Sequence, residues 1–297
     1  MSTSVWPVIP AAELKRQEDI SLERELAWLL ESLQDTLVSL KSGLEECYAL
    51  LAPIEPGSTL VMSSPRSESI KGHVTRVGTQ IVKGSLHLRL RTHNPLHLVI
   101  PPTSSFVLQP LITLRTRLNE SLDCVDITRW TGDKKSASFI SGQLRLLQSI
   151  VSEAKATLKG PDLLAPNAGH DPETTWHTSP PPPEAFEPPL PPAVSLNLTI
   201  SDASLIMTVR VLESATAVPN LGSRLAFAIG AQRRLEHDEM DEVFMYKGEQ
   251  VRVKEKLRVE SADPSLMAAL AKLAALEHTL ELARNCLRIV MGNDDAE

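Results

Sequence analysis

Aromatic residues are scarce in this sequence, at 4% of 297 residues, whereas 42% of the residues are hydrophobic. A core with few rings has to be filled by leucine, isoleucine, valine and alanine, which suits long helices packed along aliphatic stripes. No apolar run reaches the roughly 18 to 20 residues that cross a bilayer, so we expect no membrane span. The N-terminus also lacks the basic segment and apolar core of a secretory signal. Together these absences predict a cytoplasmic protein.

Cysteine is also rare, with three widely separated residues, Cys47, Cys124 and Cys286. An odd number of cysteines in a reducing compartment argues against a disulfide framework. Each cysteine lies in a segment with helical periodicity, and free cysteine is among the most frequently buried residue types. We therefore expect three buried core thiols.

Signatures of catalysis are missing. A phosphate loop needs a first glycine five residues before Gly-Lys-Ser/Thr, which the segment from Gly132 to Ser136 does not provide, so we predict a helix-initiating loop there. No dinucleotide-binding glycine cluster or nucleophile elbow occurs. His87, His93 and His97 lie among arginines with no cysteine nearby, which favours surface histidines over a metal site. The sequence therefore predicts a protein that is not an enzyme and has no cofactor.

The formal net charge of −7 argues against a general nucleic-acid binder, which needs a dominant basic surface. Residues 66–135 are locally basic, which fits either an acidic partner or a solvated sheet face. An acidic cluster lacks the interior glycine of a calcium loop, so we interpret it as a solvated loop or an acidic contact patch. This cluster contains His237, Asp238, Glu239, Asp241 and Glu242.

Two long leucine seams are the main positive feature. In residues 21–51 the apolar positions recur every three or four residues, which predicts one helix of about 45 Å. A second seam follows Asp263-Pro264, a favourable helix start. Acidic residues precede the first seam, where a DNA-binding zipper needs basic ones, so we interpret both seams as core. The first contains Leu22, Leu26, Leu29, Leu33, Leu37, Leu40, Leu44, Cys47 and Leu51, and the second Leu266, Leu270, Leu273, Leu276, Leu280, Ala283, Leu287 and Val290.

The segments between the seams change their period. Alternation predicts strands near 58–64, 69–76, 80–91 and 96–100, and two hairpins that turn at 201–203 and near 246–249. Helical spacing returns between them and predicts a helical hairpin, with Phe139 and Leu146 on its apolar stripe. Half of the 22 prolines lie in 161–192, which predicts an extended or disordered linker.

These elements predict an α+β fold. Four apolar helical stripes are most economically buried in one antiparallel bundle of N-terminal, central and C-terminal helices, with an antiparallel β lobe beside it. The long first helix predicts an elongated, two-lobed molecule. The predicted division is an N-terminal tail (1–20), a discontinuous bundle (21–52, 106–160 and 264–291), a β lobe (58–101 and 193–260) and a proline-rich linker (161–192).

The second hairpin carries the candidate contact residues. Alternation places Val251, Val253, Leu257 and Val259 on one face and Arg252, Lys254, Lys256 and Arg258 on the other. Two interpretations stay open at this point. The basic residues either protect a sheet edge from pairing or meet an acidic partner protein.

Short segments in a fixed order connect the chain to a known family. They are Glu25-Leu26-Ala27-Trp28-Leu29-Leu30, Ile70-Lys71-Gly72, Asn94-Pro95-Leu96-His97, Leu108-Gln109-Pro110-Leu111 and Pro189-Leu190-Pro191. Over about 23–291 the chain resembles a fungal member of the Rogdi family of leucine-zipper-like proteins, known in fungi as the second subunit of the RAVE complex.

The resemblance implies a non-catalytic adaptor or regulatory subunit of a RAVE-type complex. Such a complex promotes assembly of the vacuolar proton-pumping ATPase and vacuolar acidification. The implied partners are a large WD-repeat scaffold subunit and peripheral-sector subunits of the pump, reached directly or through the scaffold, with peripheral recruitment to vacuolar or endosomal membranes. The alternative hypothesis is a helical scaffold or coiled-coil tether in vesicle traffic, unrelated to the pump.

Overall fold

The computed structural model describes residues 9–51, 57–160, 176–178, 180–215, 237–240 and 242–292. Within them lie helices α1 (Ala11–Leu51), α2 (Gln109–Asp126), α3 (Ala137–Lys159) and α4 (Pro264–Val290). The strands are β1 (Ser58–Ser63), β2 (Ile70–Val77), β3 (Gln80–Leu88), β4 (Leu96–Ile100), β5 (Phe106–Val107), β6 (Val194–Ser201), β7 (Ser204–Ser214), β8 (Val243–Tyr246) and β9 (Glu249–Ala262). The α+β fold class is confirmed. Across this part of the chain, no helix is long and apolar enough to cross a membrane.

The chain divides into two compact units. Unit 1 takes Met1–Tyr48, Thr116–Ala154 and Ala271–Glu297, and its described elements are helical. Unit 2 takes Ala49–Arg115 and Lys155–Leu270 and contains all nine described strands. Each unit is therefore assembled from segments that are distant in sequence.

The core of unit 1 is built from the predicted leucine seams. In α1 the buried positions start at Leu30, whereas Leu22 is 47% exposed, so the first heptad lies outside the core. Ion pairs at the rim join neighbouring helices: Lys41 Nζ lies 2.7 Å from Asp126 Oδ1, and Lys272 pairs with Glu46. The buried seam positions in this unit include Leu33, Leu37, Leu40, Leu44, Cys47, Leu118, Val125, Leu273, Leu276, Leu280, Ala283 and Leu287.

Helix α1 begins at Ala11, earlier than the predicted start at residue 21, so the N-terminal tail of 1–20 is too long. The carbonyl of Pro10 accepts hydrogen bonds from the amides of Glu13 and Leu14, and Gln17 Nε2 donates to Glu13 Oε1 at 2.9 Å. These residues are exposed, including the apolar Leu14. Local hydrogen bonds form this first part of the helix, and it has no apolar stripe by which periodicity could reveal it.

The predicted apolar stripe of α3 is wrong at its start. Leu146 is 51% exposed and Phe139 is only half-buried, whereas Ile140, Leu144 and Leu147 are buried. The buried positions continue at Val151, Ala154 and Leu158 in steps of three and four, which keep one helical face toward the core.

The cysteine prediction holds for two of three residues. Cys47 and Cys124 are buried, and burial raises the pKa of the Cys47 thiol to about 11. Cys286 is exposed, contrary to the prediction. The neighbouring Leu287 occupies the inward-facing position in the last turns of α4, so Cys286 lies outside the buried stripe.

Unit 2 contains two antiparallel sheets. The first has the order β1-β2-β3-β4, with β5 paired to β3, and the second has the order β6-β7-β9-β8. Strand β3 ends at Leu88, before the predicted end at residue 91, and β5 has only two residues, too few for an alternation pattern. The hairpin turn predicted at 201–203 lies between β6 and β7.

The proline-rich segment is packed where the structure describes it, contrary to the prediction of a linker. Residues 161–175 and 179 lie outside the described part of the chain. Trp176, Phe186 and Leu190 are buried, and the Phe186 ring lies 4.9 Å from that of Phe106. Backbone hydrogen bonds of 2.8 Å also join Val99 and Glu187 in both directions. Single aromatic and leucine anchors hold this segment, and such anchors carry no periodicity.

A buried ion pair connects several elements of unit 2. Arg76 on β2 and Asp263 before α4 are both fully buried, and Arg76 Nε donates to Asp263 Oδ2 at 2.6 Å. The same guanidinium donates to the carbonyls of Leu51, the last residue of α1, and Gly78, at 2.9 and 2.6 Å. Asp263 Oδ1 accepts the amide of Ser265 at 3.0 Å and so caps α4. This charge pair thus makes hydrogen bonds to a carbonyl at the end of α1, a carbonyl in the turn after β2 and an amide at the start of α4.

The corrected stripe of α3 can be tested with neighbouring leucines. Leu144→Ala should lower the free energy of unfolding by about 2 to 5 kcal/mol, because it leaves a cavity in the core. Leu146→Ala should lower it by less than about 1 kcal/mol, since this side chain is half exposed. Chemical denaturation of the two variants measures both values. Equal losses would contradict the register described above.

Asp263→Asn tests the buried pair. Asparagine can still cap α4, but Arg76 then keeps a buried charge without a counter-charge, and we expect a loss of about 3 to 5 kcal/mol in the free energy of unfolding. The control is Asp133→Asn, at an exposed carboxylate that accepts the amide of Lys135. It should cost under about 1 kcal/mol. A loss in Asp263→Asn no larger than in the control would show that the cap alone matters.

Candidate protein-contact surface

Strand β9 carries the four basic residues that the sequence analysis singled out. It pairs with β7 along its length and with β8 over Glu249–Arg252, so it is an interior strand at Arg252 and not an edge there. The edge-protection hypothesis is therefore wrong for Arg252. The inward face is close to the predicted one, since Val251, Val253 and Val259 are buried and Leu257 is half-buried.

A carboxylate interrupts the inward face of β9. Glu255 is buried and accepts the backbone amides of Arg91 and Thr92 at 3.0 and 2.9 Å, and also the Thr92 hydroxyl at 2.8 Å. These bonds hold the loop between β3 and β4 against β9. The sequence analysis missed this role, although Glu255 alternates in phase with Val253 and Leu257.

Lys256 is engaged inside the protein. Its Nζ donates to Glu239 Oε1 and Asp238 Oδ2, both at 2.8 Å. Arg210 lies directly opposite on β7 and is fully buried, and it forms a bidentate pair with Glu239 at 2.6 and 2.7 Å. Two carboxylates of the predicted acidic cluster thus neutralise two cations that would otherwise repel each other across the strands.

The electrostatics of this cluster favour its charged form. Burial on its own raises the pKa of Glu239, but hydrogen bonds from Arg210 and Lys256 outweigh burial and hold that pKa below its ordinary value. Burial lowers the pKa of Lys256, but its hydrogen bonds to Asp238 and Glu239 outweigh this effect and raise it. The cluster is therefore an internal network of paired charges rather than a free binding site.

An aromatic cluster fixes the orientation of β8. The Arg210 guanidinium lies 4.7 Å from the ring centroid of Trp176, and Trp176 packs against Phe244 and Tyr246 at 5.2 and 5.5 Å. Because side chains alternate along a strand, the other two β8 residues point outward. Val243 and Met245 are accordingly 48% and 55% exposed.

The outward residues of β8 and β9 form one surface, defined by Val243, Met245, Arg252 and Lys254 and called the β8–β9 surface here. Val243 is directly opposite Arg252, and the pairing of β9 with β7 skips Lys254, which places it at a bulge. Among the described residues neither Arg252 nor Lys254 has an ion-pair partner. Exposed apolar side chains beside cations are typical of a protein-contact surface.

The structure thus separates the four predicted contact residues. Arg252 and Lys254 are exposed on the β8–β9 surface, and Lys256 belongs to the internal network. Arg258 is exposed but already has an intramolecular interaction. The sequence analysis missed Val243 and Met245, because a four-residue strand is too short for a reliable period. Within the ranges described, no group of three or more metal-ligating side chains occurs.

Two adjacent carboxylates test the internal network. Glu239→Gln should lower the free energy of unfolding by about 3 kcal/mol, because Arg210 stays buried without its counter-charge. Asp238→Asn should cost under about 1 kcal/mol, since the Asp238 side chain is 72% exposed. Urea denaturation of both variants is the measurement. A larger loss in Asp238→Asn than in Glu239→Gln would contradict the conclusion that Glu239 is the main counter-charge of Arg210.

The lowered pKa of Glu239 predicts that the stability of the protein depends on pH. A carboxylate with a lowered pKa contributes its full stabilisation above the ordinary carboxyl range, and this contribution is lost as the pH falls through the lowered pKa. Wild-type stability should therefore decrease below about pH 4, and Glu239→Gln should show a smaller decrease. A steeper acid decrease in the variant would contradict the lowered pKa of Glu239.

Comparison with known proteins gives two matches. The family model described as Rogdi leucine zipper containing protein matches residues 25–288. A Schizosaccharomyces pombe protein named "Regulator of V-ATPase in vacuolar membrane protein 2" is 23% identical over 277 residues, which cover 86% of this chain and 89% of that protein. The family match extends from within α1 to near the end of α4. This chain therefore belongs to the Rogdi leucine zipper family.

Proposed function

We propose that this chain is a non-catalytic regulator of the vacuolar proton-pumping ATPase. The observation that carries the proposal is the likeness over most of both chains to a relative named as a regulator of that pump. The architecture is compatible with it, because the β8–β9 surface of unit 2 is suited to protein contacts. A regulator that acts through contacts does not need a reaction centre of its own.

At finer detail, the proposed role is that of an adaptor in a RAVE-type complex. A large WD-repeat scaffold subunit is the proposed direct partner, and peripheral-sector subunits of the pump are reached directly or through the scaffold. The chain acts in the cytoplasm and is recruited peripherally to vacuolar or endosomal membranes. In this role it promotes the joining of the two pump sectors and thereby acidification.

The β8–β9 surface is the proposed contact site for one of these proteins. Val243 and Met245 supply apolar area that partner binding removes from water. Arg252 and Lys254 select a partner with an acidic patch and speed the encounter. Lys256, by contrast, supports the surface from within, because its charge is already neutralised by Asp238 and Glu239.

Removal of the whole protein from its native cells tests the regulatory role. Under conditions that require the pump sectors to rejoin, the fraction of joined pump should fall and vacuolar pH should rise, while total pump subunit levels stay constant. Co-immunoprecipitation between the sectors and a vacuolar pH indicator measure these outcomes. Normal sector assembly and normal acidification in the deletion strain would exclude the adaptor and favour the vesicle-tether alternative.

The contact surface needs its own variant. Arg252→Glu with Lys254→Glu should reproduce part of the deletion defect without lowering the melting temperature, since both residues are exposed. The matched control is Lys134→Glu with Lys135→Glu, an equal charge change at exposed residues of unit 1. Full activity of the first variant would remove this surface from the proposal, and an equal defect in the control would point to net charge.

A further inference from the structure

A second basic feature lies in the first sheet of unit 2, away from the β8–β9 surface. A pocket of about 680 Å³ opens where β2 and β4 begin and β3 ends, next to the turn that follows β1. Its volume falls within the range of small-molecule sites. The charged and titratable side chains that line it are Arg66, Glu68, Lys71, His87, Arg89 and His97.

Strand register brings three of these side chains into one row. Lys71 on β2 is directly opposite His87 on β3, and His87 is directly opposite His97 on β4. The two imidazole rings are stacked with centroids 4.0 Å apart and an angle of 6° between their planes. The Lys71 ammonium group and the two imidazoles therefore lie in one row across three strands at the pocket wall, and His97 Nε2 lies 3.1 Å from the Ser85 hydroxyl.

The cations of the pocket form no ion pair with any of the described residues. Arg66, Lys71 and Arg89 are exposed and form no ion pair there, and Glu68 is the one carboxylate in the lining. Three like charges around one concavity repel each other in the empty pocket, and a bound anion relieves that repulsion. The internal network at Glu239 shows how cations are neutralised elsewhere in this unit.

The backbone at the rim holds one lining residue in an uncommon conformation, which Asp202, Ala203 and Lys247 also adopt in hairpin turns. Arg66 has φ 58° and ψ 12°, a left-handed conformation that non-glycine residues rarely adopt. Backbone conformations of this kind cluster at ligand-binding sites. Across the pocket, the Arg89 amide donates to the Ser69 carbonyl at 2.7 Å and fixes the start of the Arg89 side chain.

We propose that this pocket binds a phosphate monoester. Guanidinium groups pair with phosphate oxygens in a bidentate manner, lysine supplies a compact charge, and imidazoles add hydrogen-bond donors. A phosphate monoester carries nearly two negative charges at neutral pH, whereas a ligand with one carboxylate carries a single charge. The monoester therefore matches the three cations of the pocket better. The pocket also has room for the group to which the phosphate is esterified. The phosphate belongs either to a free metabolite or to a lipid headgroup.

Binding of the purified full-length chain to glycerol 1-phosphate and to vesicles distinguishes these sources. The vesicles are phosphatidylcholine with phosphatidic acid, which carries the same glycerol phosphate group, or with phosphatidylserine at matched surface charge. Binding of soluble glycerol 1-phosphate alone supports the site with a free ligand. Binding of phosphatidic acid vesicles in preference to phosphatidylserine vesicles supports it with a lipid ligand.

Variants link the binding to the pocket. Lys71→Gln with Arg89→Gln should weaken the observed binding by at least about tenfold, the loss of about 1.4 kcal/mol or more in binding free energy. Lys83→Gln is the control, because Lys83 is exposed on β3 but does not line the pocket. It should change binding by less than about twofold. Melting temperatures of all variants should match the wild type, since the changed residues are exposed.

Three results would overturn the proposal. They are no binding of either monoester probe, unchanged binding in the double variant, and equal weakening in Lys83→Gln. Equal weakening in Lys83→Gln would indicate that anions are attracted to the exposed cations of the first sheet in general. Equal binding to phosphatidic acid and phosphatidylserine vesicles would indicate the same. These measurements need no pump or scaffold, so their outcome is independent of the proposed adaptor role.

Discussion

Unit 2 depends on the buried ion pair between Arg76 and Asp263. Two fully buried charges are tolerated only when they face each other and their remaining hydrogen-bonding groups are satisfied. Arg76 meets this requirement in part: its Nη1 donates to the carbonyls of Leu51 and Gly78, whereas its Nη2 is buried without a hydrogen-bond partner among the described residues. Asp263 meets it by capping α4. The last residue of α1, the turn after β2 and the first turn of α4 are thereby fixed around one point. Strand β2, which carries Arg76, is held at the same point.

Buried carboxylates also hold structural elements together in the second sheet, beneath the β8–β9 surface. Glu239 neutralises Arg210 and Lys256, and Glu255 binds the loop at Arg91 and Thr92. Charged side chains that are paired inside the protein are not available to bind a partner. The exposed cations without an ion pair among the described residues are therefore the better candidates for ligand or partner contacts. On the β8–β9 surface they stand beside apolar side chains, which fits a protein partner. In the pocket of the first sheet they stand beside stacked imidazoles, which fits a small anion.

Periodicity predicted the elements with a long, repeated pattern. The seam of α4 and the alternation in β3 and β4 were recognisable because burial repeats along each element. Single-residue anchors such as Trp176 and Phe186 have no repeat, so the packed part of the proline-rich segment was missed. The Arg76 pair had a partial signal, since Arg76 alternates in phase with the buried Ile70 and Val74. Its partner lies 187 residues away, however. Asp263 was recognisable as the start of a helix, but no local pattern pairs it with Arg76.

We propose that this member of the Rogdi leucine zipper family acts by binding other proteins and regulates the vacuolar proton pump. The most direct measurement is affinity purification of the tagged full-length chain from its native cells, followed by quantitative identification of the proteins that remain bound. We expect recovery of a WD-repeat scaffold together with peripheral-sector subunits of the pump. Recovery of vesicle-tether subunits without any pump or scaffold subunit would contradict it.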